Sequence, residues 1–344
     1  MEQQDILSMT LPELQAAVQE LGEPKFRAKQ IFNWLHQKRV TDFSEMTTLS
    51  LPFRERLASD FCINRLKIAK RLASSVDDTV KYLYELPDGN YVETVCMQYH
   101  HGTSLCISTQ VGCRMGCRFC ASAIAGFVRN LTPAEMLLQI YETERAQNCK
   151  ISSLVLMGIG EPLDNFDNVL RFLQLLSDPN GYGMSLRHVT VSTCGVVPKI
   201  LELAEQRLGL TLSVSLHCPN DAERSAIMPI NRSYPIDVLL DACQTYFEKT
   251  GRRVTFEYAV MEQVNSAEQD AAALAERLKG LHAHVNLIPI NPVKERNFHT
   301  LKKTVLQFQK TLERYGIPAT IRRTLGSDIE AACGQLRRDA IQQT

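Results

Sequence analysis

From residue 105 to 322 the chain repeats one pattern: a short apolar run closed by glycine or small polar residues, a loop, then a segment with helical spacing. The apolar runs fall at 105–108, 153–157, 188–192, 211–216, 253–260, 284–288 and 319–322. Helical segments lie between them at about 165–176, 198–206, 236–250, 266–280 and 300–315. An earlier helix opens with Thr132-Pro133-Ala134-Glu135, which offers an N-cap hydroxyl, a proline at the first helical position and a capping-box acid. Strands and helices alternating at this length give a parallel sheet with helices outside it. About six such units curl into a partial barrel rather than a full ring of eight. The expected class is therefore α/β, a partial (βα)6 barrel, with its chemistry gathered at the carboxyl ends of the strands.

The residues before this repeat follow other periods. Leu14, Ala17, Val18 and Leu21, then Ile31, Phe32, Trp34 and Leu35, then a segment around 53–61, have the spacing of short helices. Two strands at 80–85 and 91–98 flank Pro87-Asp88-Gly89-Asn90, which is strong turn chemistry. The expected organisation is a helical accessory domain over 1–75, a linking β-hairpin over 76–104 and a catalytic domain over 105–344. No apolar run approaches the ~20 residues that span a bilayer. The first residues carry Glu2, Asp5 and Glu13 without a basic stretch leading into an apolar core, so they do not read as a secretory signal. We therefore expect a cytoplasmic protein, off the membrane and monomeric.

In that compartment disulfides are rare, so short-spaced cysteines among the eleven present point to metal or catalysis. Cys62, Cys96, Cys149, Cys194, Cys218 and Cys243 stand singly in apolar stretches and read as small buried hydrophobes. Cys113, Cys117 and Cys120 differ: they form C-x3-C-x2-C directly after an expected strand. Cubane iron–sulfur clusters usually take four thiolates, so three local ones would leave one iron open to a ligand. A structural zinc site completed by Cys106 or a histidine, or a redox pair, are the alternatives. Gly112 and Gly116 suit a tight loop around a bulky group. Later strand ends carry Gly158-Ile159-Gly160-Glu161-Pro162, Ser192, Ser215-Leu216-His217 and Asn291. Each alone could be an ordinary strand-end cap; their repetition at one barrel face makes Gly160, Glu161, Ser192, Ser215, Leu216, His217 and Asn291 candidate ligand-binding residues.

Net charge is zero, yet residues 25–71 hold eleven Lys/Arg against four acids, a local +7. Charge alone leaves two readings open, a solvated helical face or a surface for a polyanion.

The cysteine motif after a first strand resembles the signature of the radical S-adenosylmethionine superfamily. The resemblance implies a [4Fe-4S] cluster on Cys113, Cys117 and Cys120, with S-adenosylmethionine on the open iron and its ammonium near the Gly160-Glu161 loop. From about Leu11 to Leu336 the chain further resembles the RlmN/Cfr family of RNA methyltransferases. The match includes Gln110-Val111-Gly112-Cys113, Gly126 to Leu131, Ser192 to Pro198, Met228-Pro229-Ile230-Asn231 and Ala331-Ala332-Cys333-Gly334-Gln335-Leu336.

This family resemblance implies methylation of C2 of an adenosine in 23S rRNA, and of a tRNA adenosine next to the anticodon. It implies two S-adenosylmethionine per turnover and an electron donor such as flavodoxin. Cys333 would carry the methyl group, Cys106 would resolve the RNA adduct through a transient disulfide with Cys333, and Glu93 would accept the proton. It turns the basic stretch toward RNA docking. Two other functions compete: a Cfr-type reaction at C8, which the tail Ile321 to Asp328 resembles less, and a noncatalytic iron–sulfur RNA-binding protein.

Overall fold

The computed structural model describes residues 3–124, 126–290 and 299–329. Helix α1 (Leu11–Glu20) starts where Thr10 and Glu13 cap each other, with the Thr10 N–H and hydroxyl both donating to the Glu13 carboxylate at 2.8 Å. Helix α2 (Phe26–Asn33) continues as a wider π turn over Trp34–Lys38 and ends at Arg39 in the left-handed conformation. Helix α3 (Leu51–Asp60) completes the set. The apolar faces of these helices join the buried side chains of the barrel helices in one hydrophobic cluster.

Ten strands follow in one sheet: β1 (Lys67–Ala73), β2 (Val80–Glu85), β3 (Tyr91–Tyr99), β4 (Gly102–Cys106), β5 (Ile151–Leu156), β6 (Val189–Thr193), β7 (Thr211–Ser215), β8 (Val254–Val260), β9 (Ala283–Pro289) and β10 (Ala319–Ile321). Their spatial order is their sequence order. From β4 to β10 every pairing is parallel, whereas β1 to β4 form an antiparallel meander on one flank. The crossovers are α4 (Pro133–Gln147), α5 (Phe166–Ser177), α6 (Val197–Glu205), α7 (Asp221–Ile227) with α8 (Ile236–Thr250), α9 (Glu268–Leu278) and α10 (Lys302–Arg314). The architecture is thus a partial (βα)6 barrel, as the strand–helix alternation predicts. Among the described residues no helix is long and apolar enough to cross a membrane.

One expectation fails. The basic stretch 25–71 is not helical throughout: its last residues form β1, an exposed edge strand antiparallel to β2. A register shift between Ile68 and Lys70 breaks the two-residue alternation that would have revealed a strand. Lysines on such an edge also discourage pairing with another chain.

The two edge strands are joined across the open side of the barrel. After β10 the Gly326 N–H donates to Asp77 at 2.8 Å, and Asp328 accepts from the Ser74 hydroxyl at 2.6 Å and the Ser75 N–H and hydroxyl at 2.7 and 2.8 Å. The serine hydrogen bonds hold the Asp328 carboxyl down at about 2, below its ordinary value. A carboxylate with a depressed folded pKa keeps its tie above the ordinary value and loses it as pH falls toward 2. Asp328→Ala should therefore speed hydrogen exchange in 322–329 at neutral pH without lowering the melting temperature of the barrel. Equal exchange in variant and parent would show that these bonds do not hold the segment.

Candidate active site

A cavity of about 360 Å³ opens at the carboxyl ends of the parallel strands. Cys113, Cys117 and Cys120 line one side of it. Their loop is shaped by glycines in left-handed backbone: Gly112 at φ +81°, Gly116 at +72° and Gly126 at +67°. A Cβ on Gly112 would lie 1.7 Å from the Gly126 carbonyl oxygen, so the two backbones approach as only glycine allows. The loop is stitched down by Cys113 N–H to Gly126 O (3.2 Å) and Arg118 N–H to Ile227 O (2.9 Å).

Burial pushes the Cys113 thiol up to about 12, with Cys120, Glu161 and Asp164 adding to the rise. Cys117 is raised by burial and then by Cys120 and Cys113. Each of the three sulfurs opposes ionisation of the others, a cost that a cationic iron centre would offset by taking them as thiolates. Among the described residues no three His, Cys, Asp or Glu side chains converge as a single ion requires.

Glu161 faces the cluster loop from the end of β5. Both its oxygens are held: Oε1 accepts from Leu163 N–H at 3.0 Å and Oε2 from Cys194 N–H at 2.7 Å. Burial raises its carboxyl while these hydrogen bonds oppose the rise. Remaining lone pairs on a buried carboxylate are fit to receive an ammonium. Gly160 makes the loop possible, because a Cβ there would sit 2.7 Å from the Gln110 side chain.

Ser192 and Ser215 line the cavity from the ends of β6 and β7, with His217 next along. His217 Nδ1 accepts the Ala259 N–H at 2.9 Å, which places the imidazole proton on Nε2. Burial lowers this histidine to about 3, so it stays neutral. Its ring meets Phe119 of the cluster loop edge-on at 4.7 Å. The Leu216 side chain is buried in the main core and does not line the cavity; its carbonyl accepts from Arg224 instead.

Cys106 ends β4 at the cavity wall, packed with Val95, Met97 and Leu325. Glu93 shares the inner face of β3 with Val95 and Met97 but lies deeper, ion-paired with fully buried Lys81 at 2.9 Å. Asn291 and Cys333 lie outside the described residues.

Two family models match the chain: the ribosomal RNA large subunit methyltransferase N-terminal domain over residues 4–63, and the radical SAM superfamily over 107–275. A relative from Lachnoclostridium phytofermentans, named "Probable dual-specificity RNA methyltransferase RlmN", is 51% identical, covering 99% of this chain and 96% of its own. One of the same name from Clostridium novyi is 48% identical over 98% of this chain and 99% of its own. The chain belongs to the RlmN family. The crystal structure of a radical SAM methyltransferase from Sphaerobacter thermophilus superposes with a TM-score of 0.92 at 40% identity, covering 96% of this chain and 98% of that one. Membership in this family of radical S-adenosylmethionine RNA methyltransferases implies S-adenosylmethionine and an iron–sulfur cluster, which the cavity residues fit.

Three groups at or behind the cavity wall are not among the candidate site residues read from the sequence. Cys194 caps the Glu161 carboxylate through its N–H. Glu257, on the inner face of β8, accepts from Ser213 Oγ at 2.7 Å and Asn286 Nδ2 at 2.9 Å, and burial raises its carboxyl. Arg224 lies fully buried behind the wall. In sequence Glu257 is one acid in a β-run and Arg224 one charge on a short helix, so neither stands out.

Glycine geometry yields a paired test. Gly89 also has a left-handed φ, of +80°, but nothing lies within 4 Å of where its Cβ would stand. Gly89→Ala should cost about 1–2 kcal/mol of backbone strain. Gly112→Ala should cost at least about 3 kcal/mol, since strain and overlap with a backbone oxygen add. Urea unfolding reads both; equal losses would mean that the cluster loop shifts freely.

Proposed function

We propose that this chain is an adenosine-C2 RNA methyltransferase acting on 23S rRNA and on tRNA beside the anticodon, with Cys113, Cys117 and Cys120 holding a [4Fe-4S] cluster. The observation that carries the reading is the convergence of these cysteines, the Glu161 carboxylate and Cys106 on one cavity. S-Adenosylmethionine would bind through Gly160, Glu161, Ser192, Ser215, the main chain at Leu216, His217 and Asn291. When bound, cluster and cosubstrate supply an organic radical able to abstract hydrogen.

The chain's own residues do the rest. Cys333 takes a methyl group from a first S-adenosylmethionine by nucleophilic substitution. Hydrogen loss from that S-methyl group to the radical from a second S-adenosylmethionine lets its carbon add to C2, joining RNA to Cys333. The adduct radical would return one electron to the centre that supplied it and its C2 proton would pass to Glu93; Cys106 would then attack the Cys333 sulfur, the S–S bond forming as the S–CH2 bond breaks, and the released carbon would take a proton to become the methyl group of the freed RNA. The segment leaving β10 supports this geometry: Arg322 to Leu325 line the cavity, and Cys333 follows eight residues after Leu325. A flavodoxin-type donor would supply electrons to a monomeric, cytoplasmic enzyme. Basic side chains of residues 25–71, with Lys67, Lys70 and Arg71 on the exposed edge strand, would meet RNA phosphates.

Two cysteine variants test the chemistry because they fail differently. Cys333→Ala removes the methyl carrier and should give neither product nor adduct. Cys106→Ala keeps the carrier and should accumulate RNA bridged to Cys333 by a methylene. The measurement is mass analysis of the Cys333 peptide after nuclease digestion. A nucleotide-free Cys333 peptide, from iron-replete Cys106→Ala protein that still cleaves S-adenosylmethionine, would overturn the disulfide route. In the parent enzyme, methyl at C8 of the product adenosine would overturn C2 in favour of the Cfr-type reaction.

Docking has its own test. Lys67→Glu, Lys70→Glu and Arg71→Glu together should weaken RNA binding and flatten its salt dependence, leaving S-adenosylmethionine cleavage intact. An unchanged salt slope would make this edge a merely solvated one.

A further inference from the structure

Arg224 on α7 is fully buried, and its guanidinium ties together two strand ends and the turn between α7 and α8. Nε donates to Leu216 O at 3.1 Å, Nη1 to Asn231 Oδ1 at 2.7 Å, and Nη2 to Cys194 O at 2.8 Å and Ser215 O at 3.0 Å. Every one of these acceptors is a neutral oxygen. Asp221, in the same helix, has its Oδ1 engaged by Asn231 Nδ2 at 2.9 Å and Ile236 N–H at 2.8 Å. Hydrogen bonds satisfy the guanidinium's geometry, and the acid that favours its charge, Asp221, reaches it only through the Asn231 side chain, an arrangement that leaves a buried cation open to a further anion.

The groups on the far side of those loops are sulfurs. Cys194 and Cys218 form a small apolar cluster with Ile227, Met228 and Met261, and Cys117 packs against it. The cluster loop docks on the helix that carries Arg224, through Arg118 N–H to Ile227 O. Cys194 ties the two together, its carbonyl accepting from Arg224 Nη2 while its side chain packs in this cluster. Cys117 is one of the three residues that the proposed function gives to the cluster, and the inference rests on that reading.

We infer that Arg224 is the internal counter-charge of the iron–sulfur centre, a positioning residue whose fixed positive charge stabilises the added electron and so raises the reduction potential of the centre. A unit charge in a weakly screening interior acts over the width of a loop, and no water can replace it there. The side chain touches neither substrate nor cosubstrate by this account; it acts through the wall.

The experiment separates charge from scaffolding. Anaerobically reconstituted parent, Arg224→Gln and Arg224→Lys proteins are titrated with dithionite and followed by electron paramagnetic resonance. Arg224→Lys keeps the charge and loses the four-armed hydrogen bonding, so its potential should stay near that of the parent. Arg224→Gln should lower the equilibrium constant for reduction about tenfold, which is about 59 mV for a one-electron couple. Asn231→Asp is the second probe, needed if Arg224→Gln fails to fold. Made together with Asp221→Asn, so that no second carboxylate faces the new one, it sets an acid on Nη1 and should lower the potential with Arg224 still present. Unchanged potentials in iron-replete Arg224→Gln and Asn231→Asp proteins would overturn the inference. So would equal shifts in Arg224→Gln and Arg224→Lys, which would assign the effect to lost hydrogen bonds. A parent protein that binds no iron would overturn the proposed function itself, a different result from either of these.

Discussion

The active-site end of the barrel depends on close backbone contact between loops that belong to different strands. Gly158 N–H donates to Ile107 O at 3.0 Å, and Thr109 and Gln110 N–H both donate to Ile159 O, at 2.9 and 3.1 Å. The Gln110 amide oxygen then receives the Glu161 N–H at 2.8 Å. A side chain at 158 would run into the Ile107 carbonyl carbon and oxygen at 2.6 and 2.5 Å. The exits of β4 and β5 therefore behave as one surface, and the cluster loop and the Glu161 carboxylate are set against each other by peptide geometry rather than by flexible side chains. From outside the sheet Gln139 of α4 completes the joint, giving to Ser108 O at 3.0 Å and accepting Ser108 N–H at 2.8 Å.

That dependence explains which parts of the molecule were legible in the sequence. The parallel strands from β4 onward are read from their apolar runs because both faces of such a sheet are covered. The cap at Thr132 is read from its residues, and the structure shows it closed on Glu135, with Thr132 N–H donating at 2.9 Å. Cys113, Cys117 and Cys120 announce themselves by spacing, and the structure brings all three to the cavity. Strand β1 was hidden because its bulge destroys the period of two and its lysines imitate a solvated helix. Leu216 shows the opposite failure. Its position in a strand-end tripeptide suggested a ligand contact, but alternation along the strand sends its side chain into the core, away from the cavity lining.

Arg224 and Glu257 were not legible at all. Nothing in Asp221-Ala222-Glu223-Arg224 separates an arginine that enters the wall from one that points to water, because the choice is made by Asn231, Cys194 and Ser215 from other elements. Long-range polar closure of this kind leaves no periodic trace. It becomes visible only when burial and hydrogen-bond partners are read together.

The buried charges around the cavity then sort themselves by how each is balanced. Lys81 and Glu93 answer each other within the protein, at 2.9 Å, and a pair of that kind holds its shape whether or not a ligand is bound. Glu161 is met by neutral donors, and Arg224 by neutral oxygens. Ionisable groups are expensive to bury, and an imbalance that persists inside a folded chain marks a place where the missing charge comes from something bound. A carboxylate on one side of the cavity suits an ammonium, and a guanidinium behind the opposite wall suits an electron-rich, thiolate-bound centre. The two unbalanced groups lie on either side of Cys194, whose N–H goes to the acid and whose carbonyl goes to the base. One peptide segment at the end of β6 thus orients both groups, so a change in how that segment sits is felt at the Glu161 carboxylate and at the Arg224 guanidinium together.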